Sequence, residues 1–141
     1  MLSTETWPQP AVRVWTVAQR FQKFLVVGAV GLGVNQGMLV ILHDLVGLGL
    51  LIASPAAIAV SMIVTFLLNE VWTWHDRGTG RIATRALPYA VINTGGLIIN
   101  TGLLSVLVDQ VGMHYFVANL IGAGAAAVWN FALNNAITWR A

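Results

Sequence analysis

Cysteine and charged residues are what this chain most clearly lacks. None of its 141 residues is cysteine, which excludes disulfides and thiolate metal sites. Charged residues make up 9% of the chain, whereas soluble domains carry about 25%. Because 57% of the residues are hydrophobic, a soluble fold of this size could not bury its apolar surface. The composition therefore indicates a protein that folds in lipid.

Four long apolar runs predict the fold class. They cover residues 24–42, 50–71, 87–108 and 116–137, and a helix needs roughly 20 apolar residues to cross ~30 Å of hydrocarbon. Backbone groups in lipid must bond within their own segment, which favours helices, and the alternating segments of a β-barrel are absent. No small-residue cleavage site follows the first run, so we expect that run to be retained. We predict an all-α membrane protein with four transmembrane helices.

The basic residues predict its orientation. All seven Lys and Arg residues lie before the first run, between the second and third, or after the fourth. The positive-inside rule places these parts, and hence both termini, in the cytoplasm. Trp72, Trp74 and Trp139 lie at the same ends, where interfacial indoles are expected. Residues 1–22 are either a basic amphipathic surface helix or an irregular tail that only sets the topology.

The chain aligns with itself, without a gap, at a shift of 65 residues. The matching pairs include Arg20 with Arg85, Gly31 with Gly96, Asn35 with Asn100, Asp44 with Asp109, Asn69 with Asn134, Thr73 with Thr138 and Trp74 with Trp139. We therefore predict two parallel two-helix repeats, at about 20–76 and 85–141, inside one transmembrane domain at 23–141. The alternative is a duplicated hairpin retained only because it packs on itself.

Asparagines within the apolar runs are the first candidates for a functional site. Asn35 and Asn100 lie near mid-helix among glycines. Each could bond across a helix interface, worth about 0.6–2 kcal/mol, or line a polar path for a sugar or phosphate headgroup. Asn69, Asn130 and Asn134 form matching clusters just inside the cytoplasmic tryptophans and extend the same candidate path.

The charged candidates lie at the cytoplasmic ends. Glu70 is an ionisable residue inside an apolar run. It either faces a polar interior, paired with Arg77 or Arg85 or protonated, or snorkels to the interface. Arg77, Arg81 and Arg85 either bind a phosphate, which suits the guanidinium fork, or only set the topology. We identify no catalytic constellation and no metal-ligand spacing, and we expect no enzyme activity and no cofactor.

Three motifs resemble the GtrA-like family of small bacterial membrane proteins. Residues 24–28 open the first run, residues 66–69 followed by 72–74 close the second, and Asn130-Phe131 with Asn134 and Thr138-Trp139 closes the fourth. The resemblance covers roughly residues 20–140. Where the family's pattern has basic residues after the asparagine, this chain has Glu70-Val71 and Asn135-Ala136. If those basic residues bind a phosphate in relatives, this chain must use others, such as Arg77, Arg81 or Arg85. The alternatives are a different headgroup or a role other than transport.

The resemblance implies a role in the bacterial cytoplasmic membrane, in the assembly of cell-envelope polysaccharide. Members are expected to flip a polyprenyl-phosphate-linked monosaccharide between leaflets, beside a membrane glycosyltransferase that makes it. Other relatives resemble scaffolds that recruit or orient a glycosyltransferase. A third reading is a small proton-coupled drug exporter, in which Glu70 would exchange the proton. Four helices are few to enclose a path, so we expect a homo-oligomer among membrane lipids, and no nucleic-acid partner.

Overall fold

The described residues form four long α-helices. The computed structural model describes residues 3–78 and 80–140, and Met1, Leu2, Thr79 and Ala141 lie outside these ranges. The predicted start of the N-terminal segment and the predicted end of the second repeat therefore also lie outside the described residues. The helices are α1 (Gln9–Leu39), α2 (Leu50–Leu68), α3 (Ala83–Asp109) and α4 (Tyr115–Leu133). π-Helical turns continue three of them, at Val40–Leu45 after α1, Asn69–Thr73 after α2 and Asn134–Thr138 after α4. All four helices are long and apolar enough to span a membrane, which confirms the predicted all-α, multi-pass class.

Helix α1 begins far ahead of its apolar run. With its π-helical turn it extends over Gln9–Leu45, or 37 residues, about 56 Å at the α-helical rise and nearly twice the hydrocarbon thickness. Pro10 lies in the first turn, where a missing N–H costs no hydrogen bond. Residues 9–22 are therefore helical and continuous with the first spanning helix. Arg20, on this stretch, is buried.

Helices α1 and α2 pack into a first hairpin through small residues. A Cβ added to Gly31 would lie 2.5 Å from Thr65 Cγ2, and the Ser61 hydroxyl donates to the Gly31 carbonyl oxygen at 2.7 Å. At the other end of the contact the rings of Phe24 and Trp74 meet edge-to-face, 5.9 Å between centroids. Close backbone approach at small residues is how helices associate in lipid, which has no hydrophobic driving force between them.

Helices α3 and α4 pack into a second hairpin in the same way. The rings of Tyr89 and Trp139 meet edge-to-face at 5.6 Å, and the Trp129 indole N–H donates to the Ile92 carbonyl oxygen at 3.1 Å. Gly96 lies directly against the side chain of Asn130. The ring pair and the glycine contact each lie 65 positions from their counterparts in the first hairpin, the shift at which the sequence matches itself.

Each hairpin turns at a glycine with positive φ. Gly47 has φ 86° and Gly112 has φ 76°, values that favour a residue without a Cβ. Just beyond them, the Leu48 and Met113 N–H groups donate to carbonyl oxygens six residues back, both at 2.9 Å. These bonds span one residue more than the six-to-one bond of a Schellman cap, and they likewise satisfy carbonyls that a helix end leaves without partners.

Large apolar side chains cover the outside of the helices. Leu51 is 93% exposed, Leu87 72% and Ile98 68%. Contiguous exposed apolar surface on this scale would drive aggregation in water. In a bilayer it contacts lipid, and most of the buried positions hold small, aromatic or polar residues.

Candidate functional site

The π-helical turns position a buried asparagine in each hairpin. The Thr73 hydroxyl donates to Asn69 Oδ1 at 2.8 Å, and the Thr138 hydroxyl donates to Asn134 Oδ1 at 2.7 Å. All four residues are buried. Each turn closes with an i to i+5 backbone bond, from Trp74 to Asn69 at 2.9 Å and from Trp139 to Asn134 at 2.8 Å. π-Turns are common at the C-terminal ends of helices, so the buried asparagine and threonine, rather than the turn itself, distinguish these two ends.

Three asparagines of the second hairpin carry buried polar atoms without partners. Asn100 Oδ1, Asn130 Oδ1 and Asn134 Nδ2 accept or donate no hydrogen bond within the described part of the chain. Leaving such an atom unsatisfied costs about 1–3 kcal/mol. Buried polar atoms in native proteins nearly always have partners, so exceptions call for a reason. Three in one hairpin are consistent with a site that a polar ligand completes.

The same three asparagines form a line along the hairpin. Asn130 and Asn134 are four residues apart on one chain segment, and Asn130 lies against Gly96 of α3. Asn100 lies four residues beyond Gly96 and contacts Gly122 of α4. Asn134 and Asn130 are thus about one helical turn apart, or roughly 6 Å, and Asn100 lies about one to two turns further along the hairpin. We call Asn134, Asn130 and Asn100 the amide track.

The first hairpin has no matching track. Asn35 is half-buried on α1 and Asn69 is buried at the end of α2. The position that matches Asn130 is Thr65, whose hydroxyl donates to the Met62 carbonyl oxygen at 3.1 Å. Of the residues predicted for the path, the structure therefore lines up Asn100, Asn130 and Asn134 within one hairpin, and it places Asn35 and Asn69 in the other.

The candidate ionisable residues have different surroundings. Glu70 is 9% exposed. One Arg77 nitrogen, Nη1, donates to Asn135 Oδ1 at 2.9 Å and to the carbonyl oxygens of Trp139 and Asn135 at 3.3 and 3.4 Å. Arg77 thus caps the end of the last π-helical turn. Arg85 is buried and Arg81 is exposed, which makes Arg81 the most accessible of the three predicted phosphate ligands.

Sequence reasoning missed several contributors to this geometry. Thr73 and Thr138 appeared only as repeat matches and motif positions, although their spacing of four residues from an asparagine was visible in both halves. Gly122 carried no signal of its own, because glycines and alanines surround it in α4. Its role follows from its contact with Asn100, which no local pattern shows.

The fold and the amide track define a small helical multi-pass membrane domain with polar groups inside its second hairpin. Residues 23–139 match the model of the family described as GtrA/DPMS, transmembrane domain. The chain belongs to this family, which confirms the resemblance found from the motifs.

A relative shows where such a domain occurs. The chain is 32% identical over 120 residues to the dolichol-phosphate mannosyltransferase of Pyrococcus furiosus. The match covers 85% of this chain and 34% of that protein, so this chain spans about a third of the length of the curated relative.

Proposed function

We propose that this protein moves a polyprenyl-phosphate-linked monosaccharide between the leaflets of the bacterial cytoplasmic membrane, for the synthesis or modification of cell-envelope polysaccharide. The observation that carries the proposal is the amide track, because its three unpartnered atoms offer hydrogen bonds to a polar group inside the membrane. Membership of the GtrA/DPMS family supports the substrate class.

The track would carry the sugar and leave the lipid chain in the bilayer. Sugar hydroxyls both donate and accept hydrogen bonds, so they can satisfy the Oδ1 atoms of Asn100 and Asn130 and the Nδ2 group of Asn134 in turn. The step of roughly 6 Å from Asn134 to Asn130 allows a sugar to engage the next amide before it leaves the last. The prenyl chain needs no path of its own, because the exposed outer surface of the helices already faces lipid.

The arginine end of the second hairpin would receive the phosphate. Arg81 is exposed there, and a guanidinium fork binds phosphate bidentately. In this proposal both termini are cytoplasmic, the two hairpins are parallel repeats, and the protein acts as a homo-oligomer beside the glycosyltransferase that makes its substrate. Residues 1–22 form the cytoplasmic or interfacial segment that leads into the domain.

The test is flipping of a labelled polyprenyl-phospho-sugar in liposomes that contain only this protein. Asn100→Ala and Asn130→Ala should each lower the rate at least tenfold without lowering the free energy of unfolding, since their Oδ1 atoms make no hydrogen bond that the fold would lose. Asn93→Ala is the matched control, because Asn93 Nδ2 already donates to the Tyr89 carbonyl oxygen at 2.8 Å. Unchanged transport in both track variants would refute the proposal.

A second candidate is a membrane scaffold that recruits or orients a glycosyltransferase. It is favoured by one observation: the chain matches a third of a longer protein whose name is that of a transferase. On this account the transferase chemistry belongs to another domain or chain, and the helix faces bind that partner. A folded, correctly oriented protein that flips nothing but co-purifies with a glycosyltransferase would establish this function instead.

A further inference from the structure

A cleft lies at the end of the second hairpin that is remote from the arginines. It has a volume of about 360 Å³, within the roughly 300–1,000 Å³ typical of small-molecule sites. Its polar groups are the side chains of Ser105, Asp109 and Asn119, and its aromatic walls are Tyr115 and Phe116. Two aliphatic side chains of α3 complete the lining. All of the lining residues belong to α3 and α4.

We infer that this cleft binds the sugar ring of the transported lipid. A sugar ring has apolar C–H faces and a rim of hydroxyls. Tyr115 and Phe116 are 67% and 60% exposed and offer flat apolar surfaces. The Asp109 carboxylate accepts charge-assisted bonds from hydroxyls, and the Asn119 amide both donates and accepts. The Ser105 hydroxyl already donates to Asp109 Oδ2 at 3.1 Å, which orients the carboxylate.

An interfacial aromatic belt explains only part of this arrangement. Such belts place Tyr and Trp at the headgroup level, which would account for the exposed ring of Tyr115. They do not require a carboxylate, an amide and a hydroxyl in the same cleft. The combination of an apolar wall with a few convergent polar groups is instead the usual composition of a ligand site.

The first hairpin lacks these residues at the matching positions. At the 65-residue shift, Tyr115 and Phe116 correspond to Leu50 and Leu51. Likewise, Asn119 corresponds to Ser54 and Ser105 to Val40. Of the polar and aromatic residues that line the cleft, only Asp109 keeps its identity, as Asp44. If the residues served only to end a helix at the interface, both hairpins would need them. The aromatic and amide groups are therefore specific to the hairpin that carries the amide track.

The cleft continues the track. Leu104, on its wall, lies one helical turn beyond Asn100. The described residues that line the cleft include one acid and no cation, so a phosphate is disfavoured there and a neutral sugar is not. The inference rests on the proposed function, because it assigns the last step on the track: the sugar is held at this end, which the predicted topology places outside, before release.

Binding and transport are measured separately on the full chain. The binding probe is a panel of methyl hexosides, the α-mannoside, α-glucoside and α-galactoside, with inorganic phosphate as the anionic comparison. Saturation-transfer NMR is recorded with the protein in phosphatidylcholine nanodiscs. Asp109→Asn and Tyr115→Leu alter the cleft. The second substitution introduces the residue found at the matching position of the first hairpin, Leu50. Asp44→Asn is the matched control. The same variants are then assayed for flipping in liposomes.

We expect at least one hexoside to bind, phosphate not to bind, and both cleft variants to weaken the hexoside affinity at least tenfold while Asp44→Asn does not. Binding lost in the cleft variants of a protein that flips no lipid would support the cleft and reject the proposed transport. No hexoside binding, or binding that both cleft variants leave intact, would overturn the inference, and flipping by the unmodified protein would then leave the transport proposal standing.

Discussion

At the scale of single residues, both hairpins contain a buried asparagine at matching positions, but the hydrogen bonding of its amide differs between them. Each carries a buried asparagine that accepts a hydrogen bond from a threonine four residues later, Asn69 from Thr73 and Asn134 from Thr138. In the second hairpin, however, Asn134 Nδ2 has no partner among the described residues. An unsatisfied buried group lowers stability, and such groups persist where function depends on them.

The Thr138 hydroxyl should matter for stability. Thr138→Val keeps the side-chain shape but removes the donor, which leaves both polar atoms of the Asn134 amide without partners. We expect a loss of about 1–2 kcal/mol in the free energy of unfolding, measured by SDS titration in mixed micelles.

Thr94→Val is the matched control. Thr94 is exposed, and its hydroxyl donates to the Ala90 carbonyl oxygen at 2.7 Å on its own helix. Its replacement should change the free energy of unfolding by less than about 0.5 kcal/mol. Equal effects of the two substitutions would show that the hydrogen bond to the buried Asn134 amide contributes nothing to the free energy of unfolding.

At the scale of helices, glycines decide how closely each pair approaches. A Cβ on Gly122 would lie 2.9 Å from the backbone oxygen of Asn100, and one on Gly31 would meet the Thr65 side chain. Backbone cannot rotate away as the end of a side chain can, so the Gly122 contact fixes the separation of α3 and α4. The glycine also brings Asn100 into line with Asn130.

Gly122→Ala should therefore destabilise the second hairpin. Pushing the two backbones apart costs about 1–3 kcal/mol, as overpacking does elsewhere. Gly124→Ala is the control, because a Cβ there meets no atom within 4 Å, and alanine favours the helix by up to about 1 kcal/mol. The measurement is again SDS titration, and a Gly122 variant as stable as the Gly124 variant would contradict the packing described.

The end of α4 depends on an arginine outside it. Arg77 donates to two carbonyl oxygens and one side-chain oxygen of the last π-helical turn. Arg77→Ala should lower the free energy of unfolding by about 1–2 kcal/mol, since those acceptors lose a charged donor. Arg81→Ala should leave stability within about 0.5 kcal/mol of the original and instead weaken binding of anionic lipid, measured by native mass spectrometry. A reversal of the two phenotypes would exchange the roles assigned to the two arginines.

At the scale of the whole molecule, the chain is a membrane domain in which charged, aromatic and amide side chains are unevenly distributed. Its second hairpin has arginines at one end and an acidic aromatic cleft at the other. Between them lie three amides, each with one buried atom that has no partner among the described residues. This order suits a substrate with an anionic part and a neutral sugar part, which is the basis of the transport proposed here. The direction in which the hairpin is inserted decides which end faces the cytoplasm.

The absence of cysteine makes the orientation directly measurable. Single cysteines can be introduced at exposed positions, Ser3→Cys before α1, Val46→Cys between α1 and α2, and Gln110→Cys between α3 and α4. With an impermeant maleimide, the second and third should react in intact cells and the first only after permeabilisation. Labelling of Ser3→Cys in intact cells would reverse the predicted topology, and with it the direction assigned to the cleft.

The sequence by itself determined the class of protein and the rough limits of its helices, because only apolar runs of sufficient length can place a satisfied backbone in lipid. The four predicted runs correspond to the four spanning helices, and the motifs identified the family. The candidate asparagines were also recognised, since polar residues stand out in apolar segments. The parallel arrangement of the two repeats and the cytoplasmic location of both termini stay predictions.

Only the tertiary structure decided which polar residues lie close together and which of their atoms lack partners. Whether an amide finds a hydrogen-bond partner depends on the residues of the facing helix. The sequence periodicity of one helix does not specify those residues. Asn100 and Asn130 meet glycines and lack partners, whereas Asn93 bonds its own helix. The cleft at Asp109 and Tyr115 also escaped prediction, because its walls come from two helices whose approach is set by contacts such as the one at Gly122.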